Sequence, residues 1–107
     1  SAQDLTKMLE DAIALTDSGP VAIRYPKGIA RVVGEHEIGS GVQARKLRNS
    51  AVPNVCVLAI GKMVGPAEQA AGILASRGVE VTLWDVRCCV PADEMMIADA
   101  ARQGRGT

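Results

Sequence analysis

From Asp4 to Leu15 the apolar residues Leu5, Met8, Leu9, Ala12, Ile13 and Leu15 fall mostly at helical spacing, with Asp and Glu on the other side. The spacing predicts an amphipathic helix, stopped by Thr16, Asp17, Ser18, Gly19 and Pro20. Val21-Ala22-Ile23-Arg24-Tyr25 then reads as a short strand closed by Pro26-Lys27-Gly28, which makes a helix-strand unit. From Ile29 to Pro53 the pattern breaks into short charged pieces punctuated by Gly34, Gly39 and Gly41, as a linker would. Within that stretch, Gly41 to Arg48 is able to pair as a strand with the segment after it.

The second half has a different rhythm. Val55-Cys56-Val57-Leu58-Ala59-Ile60 is an unbroken apolar run of strand length, as expected for a parallel strand covered on both faces. After Gly61-Lys62-Met63-Val64-Gly65, Pro66 suits the first turn of a helix. Ala67, Ala70, Ala71, Ile73 and Leu74 give that helix its apolar stripe, and Arg77-Gly78 ends it with a cation and a C-cap glycine. A strand over Val79 to Trp84 follows, and Pro91-Ala92-Asp93-Glu94 opens a helix carrying Met95, Met96, Ile97, Ala98 and Ala101. Strand, helix, strand and helix in this order predict a right-handed βαβ unit in a partial parallel sheet, so the fold class is α/β.

Size sharpens this picture. The chain has 107 residues, one domain or a piece of a larger one, with 48% hydrophobic residues but only Tyr25 and Trp84 as aromatics. A small chain buries about 60 to 65% of its unfolded surface, and ordering opposes folding by about 1.5 kcal/mol per residue. An isolated sheet with so few covering helices is expected to be marginal. Because the tail Ala101 to Thr107 stops where another strand is expected, the chain reads as truncated.

Charge and chemistry exclude several classes. Twelve Lys plus Arg balance twelve Asp plus Glu. That balance argues against nucleic-acid and anionic-membrane partners, which require a basic excess. No apolar run reaches the roughly 18 residues of a membrane span. SAQDLTKMLEDA lacks the plan of a signal peptide, so the expected location is cytoplasmic. Cys56, Cys88 and Cys89 suggest no disulfide framework and read as small, reduced core residues. His36, the only histidine, stands between Glu35 and Glu37 and reads as solvated. The basic cluster Arg45, Lys46 and Arg48 reads as a solvated edge.

Two arginines carry candidate chemistry. Arg24 lies at the end of an expected buried strand, where α/β folds present residues to ligands, and its planar guanidinium beside Lys27 suits a phosphate or carboxylate. A salt bridge to a neighbouring acid explains it equally well. Arg87 also follows a strand end, with Asp85 two residues back, so an Asp85–Arg87 pair and an anion site both remain open. The loop Gly61-Lys62-Met63 is not a P-loop, and the spaced Cys and His of a zinc site are lacking.

Three ordered stretches carry a resemblance: Gly19-Pro20-Val21-Ala22-Ile23-Arg24-Tyr25-Pro26-Lys27-Gly28, Leu58-Ala59-Ile60-Gly61-Lys62-Met63-Val64, and Trp84-Asp85-Val86-Arg87 with Pro91-Ala92-Asp93. Together the chain resembles the 1-deoxy-D-xylulose-5-phosphate synthases of the transketolase superfamily. The resemblance implies that residues 1–28 end a pyrimidine-binding domain, 29–53 form the interdomain linker, and 54–107 begin a transketolase-like C-terminal domain. It implies a transferase that condenses pyruvate with glyceraldehyde 3-phosphate, releasing carbon dioxide, to supply isoprenoid, thiamine and pyridoxal precursors. The full-length family uses thiamine diphosphate and Mg2+ and is expected to be a homodimer.

The resemblance further implies that Arg24 and Arg87 bind the phosphate of the aldehyde substrate. It assigns no catalytic, cofactor or metal residue to this stretch: the diphosphate and magnesium domain, the activating glutamate and the proton-handling histidines fall elsewhere. Cys88 and Cys89 depart from the bulkier or basic residues common in the family after the Asp-x-Arg step. The chain alone is therefore expected to be inactive and to bind no cofactor. The alternative is a non-catalytic α/β association module of a transketolase-like or 2-oxo-acid dehydrogenase β-type protein.

Overall fold

The computed structural model describes residues 1–15, 17 and 19–104, so Thr16, Ser18 and the tail residues Arg105 to Thr107 lie outside the described residues. The chain divides into two compact units, Ser1–Gly41 and Val42–Thr107.

The first unit is built around helix α1, Ala2–Ala14. Ser1 starts it: its Oγ accepts the Asp4 amide at 3.0 Å, satisfying one of the orphan donors of the first turn. No residue of α1 is buried, and Ile13 on its apolar side is 64% exposed. Its polar side instead holds the chain that returns along it. The Gln3 amide pairs with both backbone groups of Val33, donating to its carbonyl at 2.9 Å and accepting its N–H at 3.2 Å. Asp4 accepts from Gly39 N at 3.0 Å, and Asp11 accepts from Gly41 N at 2.8 Å while pairing with Lys7.

The expected strand Val21 to Tyr25 is not a strand. It carries no bridge partner, and only Ile23 among its residues is even half-buried. A strand exists by hydrogen bonding to a neighbour, and the described residues of this unit supply none.

The second unit contains a three-stranded sheet in the order β1-β3-β2, where β1 is Arg45–Arg48, β2 Val55–Ala59 and β3 Val81–Asp85. Strand β2 runs parallel to β3 in register Val55↔Val81 through Ala59↔Asp85. Strand β1 runs antiparallel to β3, with Arg45↔Asp85 and Lys46↔Trp84 and an irregularity before Arg48↔Leu83. The strand anticipated near Gly41 to Arg48 thus forms, inside the stretch expected as a linker, but it pairs with β3 rather than with the next strand in sequence. β3 lies between β1 and β2, which sit about 10 Å apart, two strand spacings. The link 49–54 is long enough to cross that gap at ~3.3 Å per residue. It is fastened over the start of β3: Ser50 N donates to Thr82 Oγ1 at 3.2 Å, Asn54 N to Glu80 O, and Glu80 N to Asn54 Oδ1 at 2.9 Å.

Helix α2, Val64–Ser76, follows a single 3-10 turn at Gly61–Met63 and carries Pro66 in its first turn, where the missing N–H has no intrahelical partner to lose. It ends as the sequence predicts. Gly78, at φ 78°, donates to Ala75 O at 3.0 Å and Val79 N donates to Leu74 O at 3.0 Å, the two bonds of a Schellman close. Helix α3, Glu94–Gln103, is capped by Asp93.

Alternation along β3 separates the two faces. Leu83, fully buried, packs with Ala59 and Val64 and is flanked by Leu47, Val57 and Ala67, so this face meets α2. Trp84 points the other way, under Lys46, whose Nζ lies 4.6 Å from the ring centroid and 3.8 Å from Asp99 of α3. Helix α2 packs against β3 and β2 and α3 against β2; Val81, Thr82 and Leu83 of β3 and Cys56 and Ala59 of β2 are buried, while Leu58 of β2 remains 37% exposed. The apolar β2 run expected to be covered on both faces is covered only in part.

Candidate functional site

The carboxyl end of β3 leads directly into a turn with a positive φ at Arg87. The chain leaves β3 with Val86 N donating to Ala59 O at 2.8 Å, which continues the pairing with β2 by one residue. It then turns sharply: Cys88 N donates to Val86 O at 2.6 Å across Arg87, whose φ is +60°. This is a γ-turn with a positive central φ, a rare conformation for a residue with a side chain. Holding a non-glycine residue there costs about 1–3 kcal/mol, and such positions cluster at sites where a side chain must be aimed. The Asp85 carboxylate supports the turn by accepting the Arg87 amide at 3.1 Å.

The Arg87 side chain is as constrained as its backbone. The residue is only 7% exposed, and Nη1 donates to the backbone carbonyl of Gln43 at 3.0 Å. Gln43 lies in the non-strand segment that leads into β1. That segment is held in turn by Asp93, whose Oδ2 accepts Ala44 N at 3.0 Å while its Oδ1 accepts Met96 N at 3.0 Å. The Met96 amide and then the Ala44 amide hold the Asp93 carboxyl below its ordinary range. A buried guanidinium on a rigid turn at a strand's carboxyl end is suited to binding a phosphate or carboxylate.

The other anticipated residues have different settings. Arg24 and Lys27 lie in the first unit and are exposed on irregular chain, so Arg24 does not end a buried strand here. The expectation failed because strand burial requires neighbouring strands. His36 is exposed in a 3-10 turn, Glu35–Glu37, in which Gly34 N donates to Glu37 Oε2 at 3.1 Å. Of the three cysteines only Cys56 is a core residue; Cys88 is half-buried and Cys89 exposed, so the adjacent pair is not packed as expected. Arg45, Lys46 and Arg48 are half-buried on an edge strand, with Lys46 engaged by Trp84 and Asp99.

The second unit has an open cleft of 320 Å³ at Lys46, Asn49, Ser50, Ala51, Pro53 and Gln103, which Arg87 does not line. Among the described residues no three His, Cys, Asp or Glu side chains cluster as a metal would require. No helix of the described residues is long and apolar enough to cross a membrane.

Sequence reasoning missed Gln43 and the second bond of Asp93. The Pro91-Ala92-Asp93 opener signals an N-cap, but nothing local signals that the same carboxylate reaches Ala44 across 49 positions.

Comparison with known proteins agrees with this architecture. The family model described as "Transketolase, C-terminal domain" matches residues 42–106. The chain is 39% identical over 103 residues to a protein of Thermomicrobium roseum named 1-deoxy-D-xylulose-5-phosphate synthase, covering 94% of this chain and 16% of that protein. Proteins of the same name from Magnetococcus marinus and Anaeromyxobacter dehalogenans are 37% and 42% identical, over 94% and 86% of this chain and 16% and 15% of their own lengths. The chain therefore spans about a sixth of these relatives. No solved structure matches it. With the family model covering more than half of the residues, the chain belongs to the transketolase C-terminal domain family.

Proposed function

We propose that this chain is part of a 1-deoxy-D-xylulose-5-phosphate synthase, a transferase that joins pyruvate to glyceraldehyde 3-phosphate with loss of carbon dioxide. Within it, Arg24 and Arg87 bind the phosphate of the aldehyde. The observation that carries the reading is the guanidinium of Arg87, buried and aimed by a strained turn, in a chain that matches proteins of that name over 94% of its length. Each charge-assisted hydrogen bond to the phosphate contributes about 1.5–3 kcal/mol. The reactive aldehyde carbon is thereby oriented by its far end, leaving the chemistry to other parts of the protein.

Thiamine diphosphate, bound with Mg2+, would supply the electron sink for decarboxylation, and both are assigned to residues outside this chain. The whole protein is proposed to be a cytoplasmic homodimer, and this chain alone to be inactive.

The test is steady-state kinetics on the complete protein that carries this sequence. Arg87→Ala and Arg24→Ala, made separately, should each raise KM for glyceraldehyde 3-phosphate by about tenfold or more, following from ~1.5 kcal/mol per charged bond. KM for pyruvate should stay constant. An unchanged KM for the phosphorylated substrate rejects the phosphate-binding role. Product formed by the 107-residue chain alone, supplied with both substrates, thiamine diphosphate and Mg2+, rejects its inactivity.

A second reading, a non-catalytic association module, is favoured by one observation: α1 buries none of its residues, and its apolar side includes exposed Leu9 and Ile13. If association is the role, Arg24→Ala leaves the kinetics intact. Charge placed at Ile13 then lowers the oligomeric state, read by light scattering.

A further inference from the structure

We propose that Asp93 is a positioning residue for Arg87: its carboxylate pins the Ala44 amide and thereby the Gln43 carbonyl against which the Arg87 guanidinium rests. The inference rests on the reading of Arg87 as a phosphate ligand and adds a residue with no direct contact to that phosphate.

The chain of contacts is short and directional. Arg87 Nη1 donates to Gln43 O at 3.0 Å, and the neighbouring Ala44 N donates to Asp93 Oδ2 at 3.0 Å. Residues 43 and 44 precede the sheet ladder, which begins at Arg45↔Asp85. Their path is therefore not set by strand pairing. Asp93 is itself fixed, because Oδ1 accepts Met96 N at 3.0 Å at the start of α3. One carboxylate thus serves both the helix end and the 42–44 segment. The two carboxylates near Arg87 divide the work: Asp85 holds its backbone amide, and Asp93 holds the peptide on which its side chain leans. A helix N-cap needs only one acceptor; the second bond is the feature that capping alone does not explain.

The role matters because a guanidinium binds phosphate through a fork of fixed geometry. Displacement of a positioning group by ~1 Å is enough to lower a rate by up to about a hundredfold. Removing one tether at a second remove from the ligand should give less, about three- to tenfold.

Asp93→Asn separates the two functions. Asparagine keeps one carbonyl oxygen for the Met96 amide but presents an NH2 where Ala44 needs an acceptor. Asp93→Ser is the second variant, because it caps the helix with a side chain too short to reach both partners. Each is made in the complete protein, alone and with Arg87→Ala. KM is measured for glyceraldehyde 3-phosphate, for unphosphorylated glyceraldehyde and for pyruvate, and hydrogen exchange is followed at the Ala44 amide.

The expected result is a KM for glyceraldehyde 3-phosphate raised about three- to tenfold, no change for the other two substrates, and faster exchange at Ala44. In the Arg87→Ala background Asp93→Asn should add nothing, because the two residues act as one unit. If Arg87→Ala raises that KM while both Asp93 variants leave it unchanged, the positioning role is overturned and the phosphate reading stands. Equal rises in KM for phosphorylated and unphosphorylated aldehyde also overturn it, as the mark of a merely structural residue. If Arg87→Ala itself leaves the KM unchanged, the phosphate reading fails and takes this inference with it.

Discussion

Leu83→Ala should be the most damaging single truncation in the second unit. Leu83 is 0% exposed at the middle of the central strand, with Val57 opposite it on β2 and Arg48 on β1. Its packing partners are Ala59 and Val64, with Leu47, Val57 and Ala67 around them. A buried Leu→Ala change destabilises by about 2–5 kcal/mol, depending on how far the site collapses into the cavity. Collapse is restricted here because two of the partners are alanines and the backbone is bonded to strands on both sides, so the expected loss is ~3–4 kcal/mol.

A unit of this size has total stability of only several kcal/mol, at about 0.05–0.15 per residue. Trp84, the single tryptophan, is a built-in reporter on the opposite face of the same strand, so urea unfolding can be followed by its fluorescence. With a urea slope near 1 kcal/mol/M, the midpoint should fall by ~3 M or the folded baseline should disappear. Leu83→Met should lose less than about 1.5 kcal/mol, and Ile73→Ala on exposed α2 surface less than about 1. A Leu83→Ala chain that unfolds within about 1 kcal/mol of the parent, with an unchanged slope, would refute the assignment of this residue as the centre of the core.

Two glycines of the α2 region should respond with opposite signs. Gly78→Ala should destabilise by about 1 kcal/mol, because φ 78° disfavours a Cβ even though an added Cβ would meet no atom within 4 Å. Gly72→Ala, inside α2 with equally open space, should stabilise by up to about 1 kcal/mol; melting temperatures moving together would contradict both. Iodoacetamide should label exposed Cys89 before Cys88 and Cys56 last, as burial raises the Cys56 thiol, with Lys46 pulling it down and Asp99 pushing it up. Because the folded state favours the protonated Cys56 thiol, stability should decline as pH rises past its ordinary value of 9.0; a flat urea midpoint there would count against it. Asp93 has the opposite sign: its carboxyl is lowered, so its contribution is present above 3.8 and lost as pH falls through the lowered value. Accelerated exchange of the Ala44 amide already at pH 5 would contradict this.

Much of the second unit was legible residue by residue. The helical stripe of α2, its Arg77-Gly78 close, the apolar strand before it and the Asp93 opener of α3 are local statements. Backbone preference, side-chain periodicity and capping act over a few positions and can be read there. The resemblance to the synthases was legible for the same reason, in short ordered stretches such as Arg24-Tyr25-Pro26-Lys27-Gly28 and Trp84-Asp85-Val86-Arg87.

Pairing and aim were decided only by the tertiary structure. Nothing in Arg45–Arg48 says that β3 rather than β2 lies beside it, because strand order depends on which chain segment enters the gap after a link has spanned it. Val21 to Tyr25 has strand chemistry yet forms no strand, since strand formation is a relation between neighbours and not a property of one segment. The setting of the Arg87 side chain came from the same level of organisation: its rest on Gln43 and the tether of Ala44 to Asp93 join residues 44 and 49 positions apart. The sequence by itself determined which residues favour helix, strand or turn and which carry chemistry. Folding decided which of them meet, because long-range hydrogen bonds and burial form only once distant segments share a surface.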